Sequence, residues 1–442
     1  MADRSGGRRR AASALAAIIT VLALAGCTGG SVDPASRFEP VDASYQEDVS
    51  AQLDQVLEQA IALSGSSGGI AGVWAPWAGG WTGASGDVDF RENSRPVTVE
   101  TGFHLSTVTS EITCLILLRL VDAGTVSLDD PVTEYVDRIP SIEGITLEQL
   151  CRHTSGLADY YPGLEQHFVT NPKRVWSPNE LLAGGLAIQR TGAPGEAWSY
   201  SRTGILLLAR ALEEATGKDW NELAEQYVLE PLGLDRTVLP DPADTDHTGA
   251  LGAYAAGIAP GGGADCAVIH DDSAQSSSMG AAAAGAESDL DDARKLSEAF
   301  ATGALVGEHS ARELWTTEHI GGDAPVWEGF GLGGSQFGPL RGTAGESAGS
   351  LTAAFTDPKT GLTVVVALNN STSGAGFVRE TAFALASIGS KASAVDGRDQ
   401  PLVELPWSLE QAIAKMQALA LCPTAPAAEE PVAEEGAAPA EG

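Results

Sequence analysis

A chain of 442 residues is long enough for one large domain or for two lobes that share a core. Its formal charge is −33, and because residues 1–26 hold four Arg and one Asp, the remainder carries −36. That much acid argues against nucleic acid and against electrostatic binding to anionic lipid, and a solvated acidic surface accounts for it.

Arg8-Arg9-Arg10 precede an apolar run, Ala11 to Ala25, which is too short for an ordinary transmembrane helix and typical of a secretory leader. The run ends Leu24-Ala25-Gly26-Cys27, which looks like a bacterial lipobox. It predicts a signal peptide over 1–26, cleavage before Cys27 and a diacylglycerol thioether on that sulfur. The protein is then exported and held at the outer face of the cell membrane by its lipid, a second acyl chain supplying the second signal that stable anchoring requires. Four further cysteines, at 114, 151, 266 and 422, allow three pairings, and the sequence does not choose among them. Cys114 and Cys151 lie in apolar segments, where free buried thiols are an equal alternative.

Residues 27–43 are small and polar and read as a tether. Ser44-x-x-Glu47 reads as a capping box opening a helix whose apolar positions recur up to Gly65. Strands at Ile70–Trp74 and about Trp81–Ser85 flank a turn at Ala78-Gly79-Gly80. Next comes Phe103-His104-Leu105-Ser106-Thr107-Val108-Thr109-Ser110, then a helix over Glu111–Ala123 that is apolar nearly all round and therefore buried, with Gly124 after its end. The polar residues Ser106 to Ser110 sit where its free N–H groups and positive dipole end would favour an oxyanion. Residues 160–235 read as helical, 240–285 as irregular, and Asp289–Ala301 as an amphipathic helix. Strands Leu351–Phe355 and Leu362–Leu368 are joined by a turn over Thr356–Gly361, and helices follow at Phe377–Ile388 and Trp407–Leu421. Residues 423–442, with five Glu, four Pro and no Lys or Arg, read as a disordered acidic tail.

Around position 107 the chain resembles the serine beta-lactamase and penicillin-binding-protein superfamily, in its class C beta-lactamase, DD-peptidase and esterase branch. That branch reads Phe-Arg-Ile-Gly-Ser-Val-Thr-Lys, then a helix, then Leu-Val-x-x-Gly-x-Leu-Ser-Leu-Asp-Asp-Pro-Val. Here the second part is Leu120-Val121-Asp122-Ala123-Gly124-Thr125-Val126-Ser127-Leu128-Asp129-Asp130-Pro131-Val132. Ile145-Thr146 through His153-Thr154-Ser155-Gly156-Leu157 and Glu230-Pro231-Leu232-Gly233-Leu234 also match family stretches, and the resemblance makes His153 structural rather than catalytic. It implies an α+β, beta-lactamase/transpeptidase-like fold, with an antiparallel sheet flanked by helices and an inserted all-helical lobe at about 116–280. The domain then runs over 44–395, with a helical extension over 396–422.

The resemblance also locates the chemistry. In the family a serine attacks a carbonyl, and a lysine one helical turn on, with a tyrosine, handles its proton. The ungapped register puts Thr107 on the serine and Ser110 on the lysine, and none of the six lysines has a serine three residues before it. The Tyr-x-Asn motif falls at Tyr200-Ser201-Arg202, so the tyrosine is kept and the amide is replaced by Arg202. The third motif, Lys/His-x-Gly, falls at Thr343-Ala344-Gly345 without its cation, and Arg341 is the local substitute on the same strand face. Three literal matches are decoys: Lys359-Thr360-Gly361 at a hairpin tip, His247-Thr248-Gly249 in the irregular stretch, and Gly345-Glu346-Ser347-Ala348-Gly349. The last lacks the following helix, and every histidine precedes Ser347.

The expected function is a cell-envelope lipoprotein with a catalytically degenerate beta-lactamase-like domain. It acts as a binding or regulatory module, with a peptidoglycan peptide or small acyl ligand in its cleft. Two alternatives stay open: a hydrolase of esterase, DD-peptidase or beta-lactamase type using Thr107 as nucleophile, and a purely structural, partner-binding lipoprotein. No metal or nucleotide motif is present in the sequence, so no cofactor is expected.

Overall fold

The computed structural model of the protein describes Phe38 and residues 41–247 and 249–424. The leader, the lipidation residue Cys27, most of the tether and the tail beyond Thr424 lie outside the described residues. Among the described residues twelve strands follow in order: β1 (Gly68–Ala75), β2 (Gly79–Gly86), β3 (Phe103–His104), β4 (Tyr254–Ile258), β5 (Ala264–Asp271), β6 (Glu287–Ser288), β7 (Glu318–His319), β8 (Glu328–Phe330), β9 (Ser335–Phe337), β10 (Leu340–Ser347), β11 (Ser350–Thr356) and β12 (Thr363–Leu368). Eight of them make one antiparallel sheet in the order β2-β1-β12-β11-β10-β9-β8-β7. The N-terminal hairpin therefore pairs with the last strand, Ile70 opposite Ala367 and Val73 opposite Val364.

Helices cover both faces. On one face Glu47–Ser64, Gly374–Gly389 and Leu409–Leu419 bury Leu53, Leu57, Phe377, Phe383 and Met416 against Phe355, Val364 and Val366. Phe383 and Trp407 stack there with centroids 3.9 Å apart, fastening the C-terminal extension to the domain. On the other face lie the helices Thr109–Asp122 and Leu290–Thr302, continuous with the core of the inserted lobe. Thr109–Asp122 is the central helix: Ile112 and Cys114 through Leu118 are completely buried, as its apolar sequence requires.

Several local expectations are corrected. The first helix begins at Glu47 with Gln46 as N-cap and no side-chain cap bond, and Ser44 instead bridges to Gly80, so Ser44 and Glu47 form no capping box. The stretch 240–285 holds the hairpin β4–β5, whose residues alternate too weakly to be seen in the sequence because most of β5 is exposed. The cysteines are paired, Cys114 with Cys151 and Cys266 with Cys422, so the free-thiol alternative falls. The second bridge ties the extension to β5, and Thr424 still donates its backbone N–H to Ala62 O, so ordered chain runs past the expected start of the tail at 423. Among the described residues no helix is long and apolar enough to cross a membrane.

Candidate active site

Two elements build the site. Strand β10 pairs with β9 only through Leu340, Arg341 and Gly342, which leaves Thr343 to Ser347 as an edge. The central helix abuts that edge end-on, entered through a 3-10 turn over Ser106–Val108. The family's glycine before the nucleophile corresponds to Ser106, which here adopts a left-handed backbone, φ 51°. A non-glycine residue there is strained by of the order of 1 kcal/mol and persists only where surroundings hold it. Its hydroxyl is held by Ser347 Oγ at 3.1 Å and Ser350 O at 3.3 Å.

Thr107 and Gly345 meet at this junction. A Cβ built on Gly345 would lie 1.4 Å from Thr107 Oγ1, so only glycine admits the Thr107 hydroxyl against the strand. Thr343, two residues earlier on the same strand face, reaches Glu111, four residues later on the same helix face. Glu111 is wholly buried, and neither its carboxylate oxygens nor Thr343 Oγ1 closes a hydrogen bond of normal geometry. Burial pushes the Glu111 carboxyl well above the usual carboxylate range, with Thr343 opposing weakly. Ser110, at the lysine position, donates to Thr107 O at 2.7 Å and so satisfies the helix it sits on.

The lobe supplies Tyr200 and Arg202. Burial raises the Tyr200 phenol to about 12, against the opposing effects of Arg202 and of the Thr107 hydroxyl nearby. Its oxygen lies toward Thr107 without closing a regular hydrogen bond. A phenol at that value is a poor base near neutrality. Arg202 begins the helix Arg202–Thr216 and is 4 % exposed. It donates to Asp159 Oδ2 at 2.6 Å and, across the cleft, to Glu346 O at 3.1 Å, with Glu346 Oε1 at 3.8 Å. Its guanidinium lies 4.2 Å from the centroid of Tyr161. Burial works against its charge, but Tyr200, Asp159 and Glu346 more than offset that and keep it firmly protonated. His153 is structural here, at φ 55° with Nδ1 accepting from Ser201 N, and burial lowers its pKa to about 3.

A cavity of about 160 Å³ remains between lobe and sheet. Motif positions Ser110, Tyr200 and Thr343 line it, with an aromatic wall of Trp198, Phe330 and Phe337 and with Arg379 at one side. The expectation for Arg341 is corrected: it turns away to Gln336 Oε1 and Ala301 O and lies over Trp315, because Trp315 offers its guanidinium an aromatic face. Arg379 and Asp159 stand outside any motif, and Glu346 falls only within a decoy one, so the roles of all three in the cleft come from tertiary packing and escape the sequence. Among the described residues no cluster of His, Cys, Asp and Glu is arranged to hold a metal ion.

Known proteins share this architecture. In sequence, the D-alanyl-D-alanine-carboxypeptidase/endopeptidase AmpH of Escherichia coli (strain K12) is 36% identical over 157 residues, 34% of this chain and 40% of that protein. Esterase EstB of Burkholderia gladioli is 31% identical over 222 residues, 47% of this chain and 54% of that protein. The chain thus spans about two fifths to a half of the length of these curated relatives. Among solved structures, a D-stereospecific amidohydrolase from Streptomyces sp. superposes with a TM-score of 0.65 and 26% identity, covering 76% of this chain and 98% of that one. The octameric penicillin-binding protein homologue from Pyrococcus abyssi, at 23% identity and a TM-score of 0.63 over 76% of each chain, shares the fold. The family model described as Beta-lactamase matches residues 53–387, from the first helix to the helix after the last sheet strand, and the chain belongs to that family.

Proposed function

We propose that this is a cell-envelope lipoprotein, anchored through Cys27, whose beta-lactamase-like domain no longer performs acyl transfer and keeps its cleft as a ligand-binding or regulatory module. The observation that supports this reading is the cavity's lining, which includes Ser110, Tyr200 and Thr343, with no lysine among the described residues that line it. Without a base, the Thr107 hydroxyl is a weak nucleophile, and its β-methyl crowds attack. The aromatic wall and Arg379 suit a small acyl group bearing a carboxylate, such as the end of a peptidoglycan peptide. A purely structural role is favoured by one observation, the Arg202 bridge to Glu346, which fills part of the cleft. The open volume beside that bridge favours a ligand.

Intact-mass analysis after treatment with a fluorescent penicillin and a fluorophosphonate tests the loss of chemistry. No adduct is expected; a stoichiometric adduct at Thr107 would sink it. Metabolic palmitate labelling tests the anchor: label is expected in the wild type and lost in Cys27→Ala, and label kept in the variant removes the lipoprotein reading.

A further inference from the structure

Glu111 is the most conspicuous group that the family's chemistry leaves unused. It follows directly on the lysine position, is 0% exposed, and neither of its carboxyl oxygens has a partner. Buried polar groups without partners are rare in folded proteins, and each needs an account. The helix–strand register supplies one. Gly345 backs Thr107, so Thr343, one pleat earlier, backs Glu111. Thr343 Oγ1 is likewise unpartnered, and Thr343 also lines the cleft cavity. Two unsatisfied groups in series, one buried and the next on the cavity wall, form a hydrogen-bond chain lacking its last acceptor.

We propose that Glu111 and Thr343 are a polar anchor for a ligand oxygen, carboxylate or carbonyl, in this cavity: Glu111 donates its carboxyl proton to Thr343 Oγ1, and Thr343 donates its hydroxyl to the ligand. The proposal rests on the binding reading above and names the chemistry of its ligand. Glu111 is a positioning residue that acts through Thr343. The remaining titratable or charged groups lining the cavity are Tyr200, raised to about 12 and so neutral near neutrality, and Arg379. Arg379 shares its guanidinium between the cavity wall and Glu380, whose Oε1 lies 2.9 Å away, so it leaves only part of its charge for a ligand, and an ionised Glu111 would oppose an anionic one. A cavity of about 160 Å³ is benzene-sized, by comparison with the roughly 150 Å³ apolar cavity that takes benzene. Phenylacetate, a benzene ring carrying one carboxylate, is therefore the probe.

Calorimetric titration of the purified full chain with phenylacetate is the test. Binding is expected, with a Kd that rises with pH as Glu111 ionises. Thr343→Val should weaken it about tenfold or more, the loss expected for one buried donor. Glu111→Gln, which keeps a donor without a titrating proton, should bind within about threefold of wild type at pH 6 and lose the pH dependence. If Thr343→Val fails to fold, Thr343→Ser and Thr343→Ala replace it, and only the serine should bind like wild type. Equal affinity with and without the hydroxyl, the same pH profile in wild type and Glu111→Gln, or no phenylacetate binding by wild type would each overturn the anchor. An adduct at Thr107 in the labelling experiment would overturn the non-catalytic reading and leave the anchor standing.

Discussion

Thr107 Oγ1 lies so close over Gly345 that a side-chain carbon built there would sit 1.4 Å from it. The nucleophile position and the third motif are therefore locked by sterics, although Thr107 and Thr343 stand where the family pattern has a serine and a cation. Gly345→Ala must push Thr107 or β10 aside, and overpacking of this kind costs about 1–3 kcal/mol. Thr107→Ser should not relieve it, since a hydroxyl remains, whereas Thr107→Gly should recover much of the loss. Urea unfolding of the single and double variants reads this directly. A Gly345→Ala protein as stable as wild type would mean that the contact is not made.

Glu111 makes stability depend on pH. Its folded-state pKa is raised by burial above that of the unfolded chain, so folding takes up a proton between the two values. Stability is then fully present below the unfolded value near 4.3 and falls by about 1.4 kcal/mol per pH unit until the folded value is passed. Glu111→Gln removes this slope, and its advantage in melting temperature over wild type should grow from pH 5 to pH 8. A pH-independent difference would show that Glu111 is already ionised in the fold.

The disulfide between Cys114 and Cys151 joins the central helix to the segment leading into His153 and closes a loop with a sequence separation of 37. Loop-closure entropy for that length corresponds to about 4 kcal/mol on the chain-entropy view. Cys114→Ala with Cys151→Ala should thus lower stability by a few kcal/mol, with cavity effects added because both sulfurs are buried. Equal stability under reducing and oxidising conditions would argue against the bridge.

Where the sequence carried periodicity, it was a good guide to structure. The apolar run from Ile112 to Leu120 could only be a buried helix, and the Leu351–Phe355 and Leu362–Leu368 strands are flanked by unambiguous turn residues. The site was legible where a motif marks it: Thr107, Ser110, Tyr200 and Thr343 do converge on one junction and its cavity. It was illegible where tertiary packing decides. Arg341 and Thr343 share a strand face, yet Trp315 draws the guanidinium away, and no local pattern encodes that. Asp159 and Glu346 lie 43 and 144 residues from Arg202, so a buried network built from them leaves no local spacing to read.

If the proposed non-catalytic reading holds, acylation has to be built back residue by residue. Thr107→Ser with Ser110→Lys should fold, because Ser110 lines the cavity and a longer side chain has space to extend into it. Acylation by a fluorescent penicillin should remain weak, since Arg202 still occupies the place of the substrate-orienting amide and position 343 has no cation. Adding Arg202→Asn alone should be costly. It leaves Asp159 beside an empty partner site, and breaking a buried pair from one side typically costs about 3–5 kcal/mol. Asp159→Asn in the same chain should recover much of that loss by removing the stranded charge. Thr343→His then supplies the third-motif donor, but it also disturbs the neighbour of Glu111, so Glu111→Gln belongs in the same background. Parts that act as one unit restore activity together or hardly at all. Acylation should therefore appear only in the complete combination, followed by the mass increment at position 107. Rapid acylation of the two-site variant would mean that Arg202 never blocked the cleft, and an inert complete combination would mean that the cavity has been reshaped for another ligand.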